Sequence, residues 1–264
     1  MHLQDNAQRP LFGRFIGSLA KMTQDSQPTI FHELLKHLQD RGSLVRTYTQ
    51  NIDGLELKAG LSTYHRMLTQ EDHRPFRCIP LHGCLQYMYC QSCHAVEDMA
   101  SHQDELLAGR FPSCSACKRG QEARKEAGKR LQAVPQLVPD VVLYGQEHPD
   151  SDRIAEFHTQ DLSGKQMIDL LLVVGTGIHI VGTQRMVREF AQLVRKNSLP
   201  SDTSPRTIYL NLDFKQRKKW ESTFDLWVQA DCQAVAHAVL TAFQSEKSQQ
   251  NLLQPLNDDP DKVQ

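Results

Sequence analysis

The sequence predicts an α/β fold with a largely parallel sheet, interrupted by a small cysteine-rich module. Three observations carry that prediction. Strand-like and helix-like segments alternate over most of the chain. Met167 to Val174 (MIDLLLVV) is apolar at nearly every position, as a parallel strand buried on both faces should be. Five of the seven cysteines fall within residues 84–130, which otherwise hold many charges and few long apolar runs.

The elements follow in order. Residues 1–25 are weakly patterned, with Phe12, Phe15, Ile16 and Leu19 at helical spacing. Ser26-Gln27-Pro28-Thr29 reads as a helix start, with proline in the first turn. Ile30, Phe31, Leu34, Leu35 and Leu38 continue the 3–4 period as an amphipathic helix that Gly42 ends. Leu44 to Thr49 is a short strand, and Asn51-Ile52-Asp53-Gly54 a turn. Residues 60–77 read as loop and Cys78 to Leu81 as strand. Beyond the module, Asp140 to Tyr144 is a strand and 150–162 a helix. The strand ending at Val174 leads through Gly175-Thr176-Gly177 into a helix from Thr183 to Lys196. Thr207 to Leu210 and Phe224 to Val228 are strands, 233–245 a closing helix, and 246–264 a disordered tail.

Composition narrows the functional classes. The chain has 264 residues, 39% hydrophobic and 23% charged, with a formal net charge of −1. A broadly basic nucleic-acid binder is excluded, though a local basic patch is not. The longest apolar run, Leu170 to Val174, is far too short to span a bilayer. The first ten residues carry no stretch of signal-peptide type, so secretion is not expected. An odd count of seven cysteines argues for thiols or metal ligands inside the cell over a disulfide framework.

Cys90-x-x-Cys93 and Cys114-x-x-Cys117 are 20 residues apart. A two-residue gap lets both thiolates of a pair face one ion, and two pairs complete a tetrahedral sulfur cage suited to structural zinc. Two unrelated thiol pairs, or a redox Cys-x-x-Cys, are the alternatives, and His94 could replace one cysteine.

Polar clusters recur at the predicted carboxyl ends of strands, where open α/β sheets bind ligands. They are Thr49 to Gly54, His82-Gly83, Tyr144 to His148, Gly175-Thr176-Gly177 and Asn211-Leu212-Asp213. Each alone is ordinary turn chemistry; five together point to a site. Gly175-Thr176-Gly177 suits a nucleotide phosphate, although Ile180 stands where a full dinucleotide fingerprint needs glycine. His82 is the candidate for proton transfer near neutral pH. Cys78 and Cys84 beside it read as small buried residues. Basic residues follow the second cysteine pair (Lys118, Arg119, Arg124, Lys125, Lys129, Arg130), and Lys215 to Lys219 hold another cluster. A zinc-ribbon nucleic-acid binder is therefore a weaker reading, against a near-zero net charge.

Taken together, these residues resemble the sirtuins, the NAD-dependent protein-lysine deacylases. Tyr48 to Leu55 looks like the family's ribose-site motif, Leu81-His82-Gly83 its catalytic-histidine motif, and the cysteine pairs its zinc module. Val141 to Gln146 resembles the strand that pairs with the acyl-lysine peptide. Gly175-Thr176-Gly177 resembles its Gly-Thr-Ser turn, Asn211 lies where the adenosine ribose binds, and Asp231-Cys232 where the adenine is covered. The resemblance spans about residues 10–245. Leu143-Tyr144-Gly145-x-x-His148-Pro149 and the Lys21 to His32 run look most like the fungal nuclear branch, which deacetylates histone.

The resemblance implies a Rossmann-like sheet with helices on both faces, formed by 1–83 and 131–245, with 84–130 as the zinc-ribbon module. It implies deacetylation of a lysine on a histone or other protein, giving nicotinamide, O-acetyl-ADP-ribose and free lysine. His82 would be the base. Gln50, Asn51, Ile52, Asp53, Gly175, Thr176, Gly177, Asn211 and Cys232 would bind NAD. Val142, Leu143, Tyr144 and Gly145 would hold the peptide, and Cys90, Cys93, Cys114 and Cys117 the Zn2+. A nuclear, chromatin-associated protein follows, with no membrane and no sequence-specific nucleic acid. The family's opening Gly-Ala-Gly-x-Ser and Gly-Ile-Pro-Asp-Phe-Arg segments have no counterpart here, so neighbouring strands should show apolar edges. The alternative is an impaired remnant or truncated gene product that only binds a partner.

Overall fold

The computed structural model describes residues 8–65, 75–143, 145–197, 201 and 203–252, without the side chains of 246–252. The chain divides into two compact units, residues 1–28 with 39–161, and 29–38 with 162–264.

In the first unit, α1 (Arg9–Asp25) buries Phe12, Ile16 and Ala20, one turn apart. Gly13 and Gly17 leave that face flat. A Cβ on Gly17 would meet Leu106 Cβ at 3.0 Å. The helix therefore lies close against α4 (Gln103–Leu107), and its face joins Leu85, Met88, Met99, Phe111 and Leu137 in one core. α1, grouped with the sheet by sequence, thus shares its core with the module. Its last turn has no basic residue. Lys58 of α3 (Leu55–Lys58) supplies one, donating to the carbonyls of Thr23, Gln24 and Ser26 at 2.7, 2.7 and 3.0 Å.

β1 (Thr47–Thr49) pairs in parallel with β2 (Cys78–Pro80). A second, antiparallel sheet has the order β4-β3-β5, from Val96–Asp98, Gly83–Cys90 and Leu137–Val141. The sequence marks this stretch only as a cysteine-rich module, because GCLQYMYC mixes polar and apolar residues without clean alternation; it forms strand β3. α5 (Ser115–Glu126) begins inside the second cysteine pair, with Cys114 as its N-cap and Cys117 in its first turn. The last helix of this unit, α6 (Ser151–Leu162), is clamped to β1 by a buried cluster. Arg46 holds both Asp161 oxygens at 2.8 and 2.7 Å, Tyr48 donates to Asp161 at 2.7 Å, and the Phe157 ring lies under Arg46 at 5.2 Å. Burial, then the Asp161 carboxylate, raises the Tyr48 phenol well above its ordinary range, so it stays a donor.

In the second unit a parallel sheet has the order β6-β7-β8, from Leu171–Val174, Thr207–Leu210 and Leu226–Val228. One face packs Val173 and Tyr209 against Trp220 and Phe224. α7 (Val181–Asn197) and the one-turn α8 (Arg217–Trp220) accompany this sheet. α2 (Ile30–Asp40) meets α9 (Cys232–Leu252), where the Phe31 N–H donates to Gln233 Oε1 at 2.9 Å and His37 stacks on Phe243. The carboxylate of Asp225 accepts the N–H groups of Arg206 and Thr207, each at 2.9 Å. Burial pushes its pKa up, but these bonds and Arg195 outweigh that and hold it below the usual carboxylate range.

Three expectations are corrected. The apolar run from Met167 is a strand only over Leu171–Val174, at an edge among the described residues. Leu172 is 40% exposed and Met167 79%, so this run is not buried on both faces among the described residues. The strand expected over Asp140 to Tyr144 is shifted toward the N-terminus and ends at Val141, where its pairing with Gly83 stops. The closing helix runs to Leu252, so the first seven residues of the expected disordered tail are helical. They are polar but contain no glycine or proline, and Glu, Lys and Gln are good helix formers. Residues 253–264 lie outside the described residues.

Candidate active site and metal centre

The parallel pairing of β1 and β2 brings two sequence clusters together. Thr49 stands opposite Pro80, and Leu81 donates its N–H to the Thr49 carbonyl at 2.8 Å. The chain then presents Gln50 and His82 side by side, with His82 Nδ1 3.1 Å from the Gln50 carbonyl oxygen. A carbonyl can only accept, so the bond requires Nδ1–H. In the neutral ring Nε2 then keeps its lone pair. The His82 backbone is fixed as well, its carbonyl accepting from Val142 N–H at 3.0 Å. Gly83 makes this possible. Its φ is +80°, and a Cβ there would collide with the Asp140 carbonyl of β5.

The ribose-motif residues are held by their own backbone. Asn51 N–H donates to Thr49 Oγ1 at 3.1 Å, and its side chain is exposed. The Ile52 carbonyl accepts from Leu85 N–H at 2.8 Å. Asp53 Oδ1 accepts from Leu55 N–H at 3.0 Å and so opens α3. Beside them is a cleft lined by Asn51, Glu56, His65, Gly83, Cys84 and Tyr87, among others. Glu56 is 5% exposed, and His65 Nε2 lies 3.4 Å from buried Asp140. Sequence reasoning missed Glu56, His65 and Asp140. Nothing in a single sequence separates a buried carboxylate from a solvated one. Cys78 and Cys84 are buried, as expected. Burial raises both thiols, Cys84 to about 12, so they remain neutral and unreactive.

In the second unit, Gly175-Thr176-Gly177 follows β6. The Thr176 carbonyl accepts from the Tyr209 hydroxyl at 2.7 Å and from Asn211 Nδ2 at 3.3 Å. Asn211 Nδ2 also donates to Tyr209 at 2.7 Å, so this asparagine pins the turn from the neighbouring strand end. Ile178 is fully buried at φ +51°, a strained conformation for a β-branched residue. Its N–H bonds Thr176 Oγ1, and Gln184 caps its carbonyl. No atom lies within 4 Å of where a Cβ on Gly175 would stand, so ligand backbone approach is open there. Cys232 opens α9, half-buried beside the Asp231 carboxylate that accepts from Gln233 N–H at 2.6 Å.

The expected peptide residues are not in a strand. Val142 and Leu143 follow β5, and Gly145 lies in a turn at φ +79°, closed by Gln146 N–H to the Leu143 carbonyl at 3.0 Å. Tyr144 lies outside the described residues.

The four cysteines converge. All four sulfurs lie within 4.8 Å of one another, with Cys90–Cys117 at 3.8 Å and Cys93–Cys114 at 3.5 Å. Zinc–sulfur bonds of about 2.3 Å in a regular tetrahedron put sulfurs about 3.8 Å apart. The donor set therefore fits a zinc ion. Cys90 ends β3, Cys114 caps α5, and His94 turns the chain at φ +58° without joining the cluster. The exposed Cys93 thiol is drawn down to about 7, first by the Ala95 backbone N–H and then by its neighbouring thiols.

The fold and the sulfur cluster define a class, an α/β protein with a four-thiolate centre. The Sir2 family profile matches residues 5–182, and the chain belongs to that family. It is 32% identical to the NAD-dependent protein deacetylase hst4 of Emericella nidulans, covering 88% of this chain and 38% of that protein. It is 33% identical to the NAD-dependent histone deacetylase HST4 of Saccharomyces cerevisiae (85% and 60%), and 35% to hst4 of Schizosaccharomyces pombe (84% and 51%). The chain thus spans about half the length of these relatives. A structure of Sir2 bound to an acetylated peptide superposes with a TM-score of 0.62 at 18% identity, over 90% of this chain and 80% of that one. A Sir2–p53 peptide–NAD+ complex gives the same values.

Proposed function

We propose that this chain is the catalytic core of an NAD-dependent protein-lysine deacetylase acting on an acetylated histone in the nucleus. The names of its relatives support the reaction class. The observation that carries the reading is His82, whose Nδ1 faces the Gln50 carbonyl and leaves Nε2 as an acceptor. NAD, when bound, supplies the electrophilic ribose carbon and the nicotinamide leaving group. His82 Nε2 takes the proton of a ribose hydroxyl. Gln50, Asn51, Ile52 and Asp53 orient the nicotinamide ribose, Gly175, Thr176 and Gly177 hold phosphate, Asn211 the adenosine ribose, and Cys232 covers the adenine. Val142, Leu143, Tyr144 and Gly145 bind the acyl-lysine segment through backbone groups. Cys90, Cys93, Cys114 and Cys117 hold zinc that takes no part in the chemistry. Residues 1–83 with 131–245 serve as the cofactor domain and 84–130 as the zinc module.

The test is stoichiometric. With NAD and an acetyl-lysine histone peptide, the chain should release one nicotinamide per lysine freed. His82→Ala should lower that rate by about 10²–10⁴-fold, the range for loss of a general base. Lysine freed without nicotinamide, or an unchanged His82→Ala rate, contradicts the reading.

A further inference from the structure

α5 is twelve residues long and buries none of them. At its first turn Ala116 and Cys117 pack against the core of the first unit. Beyond Cys117, which belongs to the sulfur cluster, the helix presents its remaining side chains outward rather than to a core. The chain that follows doubles back along it. Arg124 Nε donates to the Arg130 carbonyl at 3.0 Å, and Gln132 N–H donates to Gln121 Oε1 at 2.8 Å.

The charge of this surface departs from that of the whole. Residues 115–132 hold six cations, Lys118, Arg119, Arg124, Lys125, Lys129 and Arg130, against Glu122 and Glu126. The complete chain is net −1. Lys118, Arg119, Lys125, Lys129 and Arg130 are all exposed, and none of them makes an ion pair among the described residues. Ordinary i,i+4 pairing does not absorb their charge.

From this we infer that α5 and its return segment form a docking surface for duplex nucleic acid, through the phosphate backbone. Charge complementarity commits the surface to a polyanion. Its lack of apolar side chains decides which kind. Protein interfaces bury an apolar or aromatic centre, and membrane-surface helices carry an apolar face. Here residues 115–132 offer one large apolar residue, Leu131. Phosphate contacts need cations alone, and they carry no sequence preference. Such a surface would hold an enzyme near DNA-wrapped substrates without selecting a DNA sequence. The proposal does not depend on the deacetylase reading, because binding is measured without NAD or peptide.

The experiment is fluorescence anisotropy of a labelled random-sequence duplex with the zinc-loaded full chain. With about four phosphates contacted, affinity should fall about a hundredfold between 50 and 200 mM salt. Lys118→Glu/Arg119→Glu/Lys125→Glu/Lys129→Glu should weaken binding at least tenfold and flatten the salt dependence. The glutamine versions of the same four changes should do so to a lesser degree. Their zinc content, one per chain, shows that the module is folded. Reversing Lys215, Arg217, Lys218 and Lys219 should change affinity less than twofold. No duplex binding at 50 mM salt, binding by the fourfold variants equal to the parent, or loss only with the second cluster overturns the inference. Capture of polyglutamate but not of duplex also overturns it, in favour of an acidic protein partner.

Discussion

Arg46 is the main partner of a carboxylate that water barely reaches. Asp161 is 4% exposed and takes two bonds from Arg46 and one from Tyr48. Arg46→Met leaves a buried charge with one hydroxyl partner, which should cost about 3–5 kcal/mol. Urea unfolding measures it, and Arg46→Met/Asp161→Leu should recover much of the loss because no charge is then stranded. If the single variant unfolds at the parent's midpoint, the cluster does not clamp α6 to β1. His82 and Gly83 belong to this scale too. Both were legible as a dipeptide at a strand end. Their pairing with Gln50 and the Asp140 backbone was not, since those partners come from the end of β1 and from β5.

Among the elements, the zinc module governs more than its own loop. Cys90 and Cys114 sit in the same core as Phe12, Ile16 and Ala20 of α1, so metal removal should reach beyond the module. We expect chelation to lower helical ellipticity by more than α5 alone accounts for, with recovery on adding one equivalent of zinc. A purified chain that contains no zinc yet keeps its full ellipticity would contradict this. The cysteine spacing alone announced the centre. The strands around it were hidden because GCLQYMYC lacks alternation, and its burial comes from α1, far away in sequence. The same distance effect explains β6, whereas α9 was misread for a local reason. A continuous apolar run reads as buried on both faces, yet what covers a strand is settled by tertiary neighbours. A polar segment reads as disorder, yet Glu, Lys and Gln extend a helix readily.

For the molecule as a whole, sequence resemblance placed the fold and the family, and both hold. Four polar clusters that lie apart in sequence are brought together in two pairs, Gln50 with His82 and Thr176 with Asn211, each by parallel strand pairing within one unit. We propose that these residues bind NAD for a reaction on acetylated protein. Calorimetric titration of NAD into the zinc-loaded chain, with and without an acetyl-lysine histone peptide, tests it most directly. The account predicts saturable binding at one site per chain that tightens when peptide is present. A folded, zinc-loaded chain that takes up no NAD in either condition would contradict it.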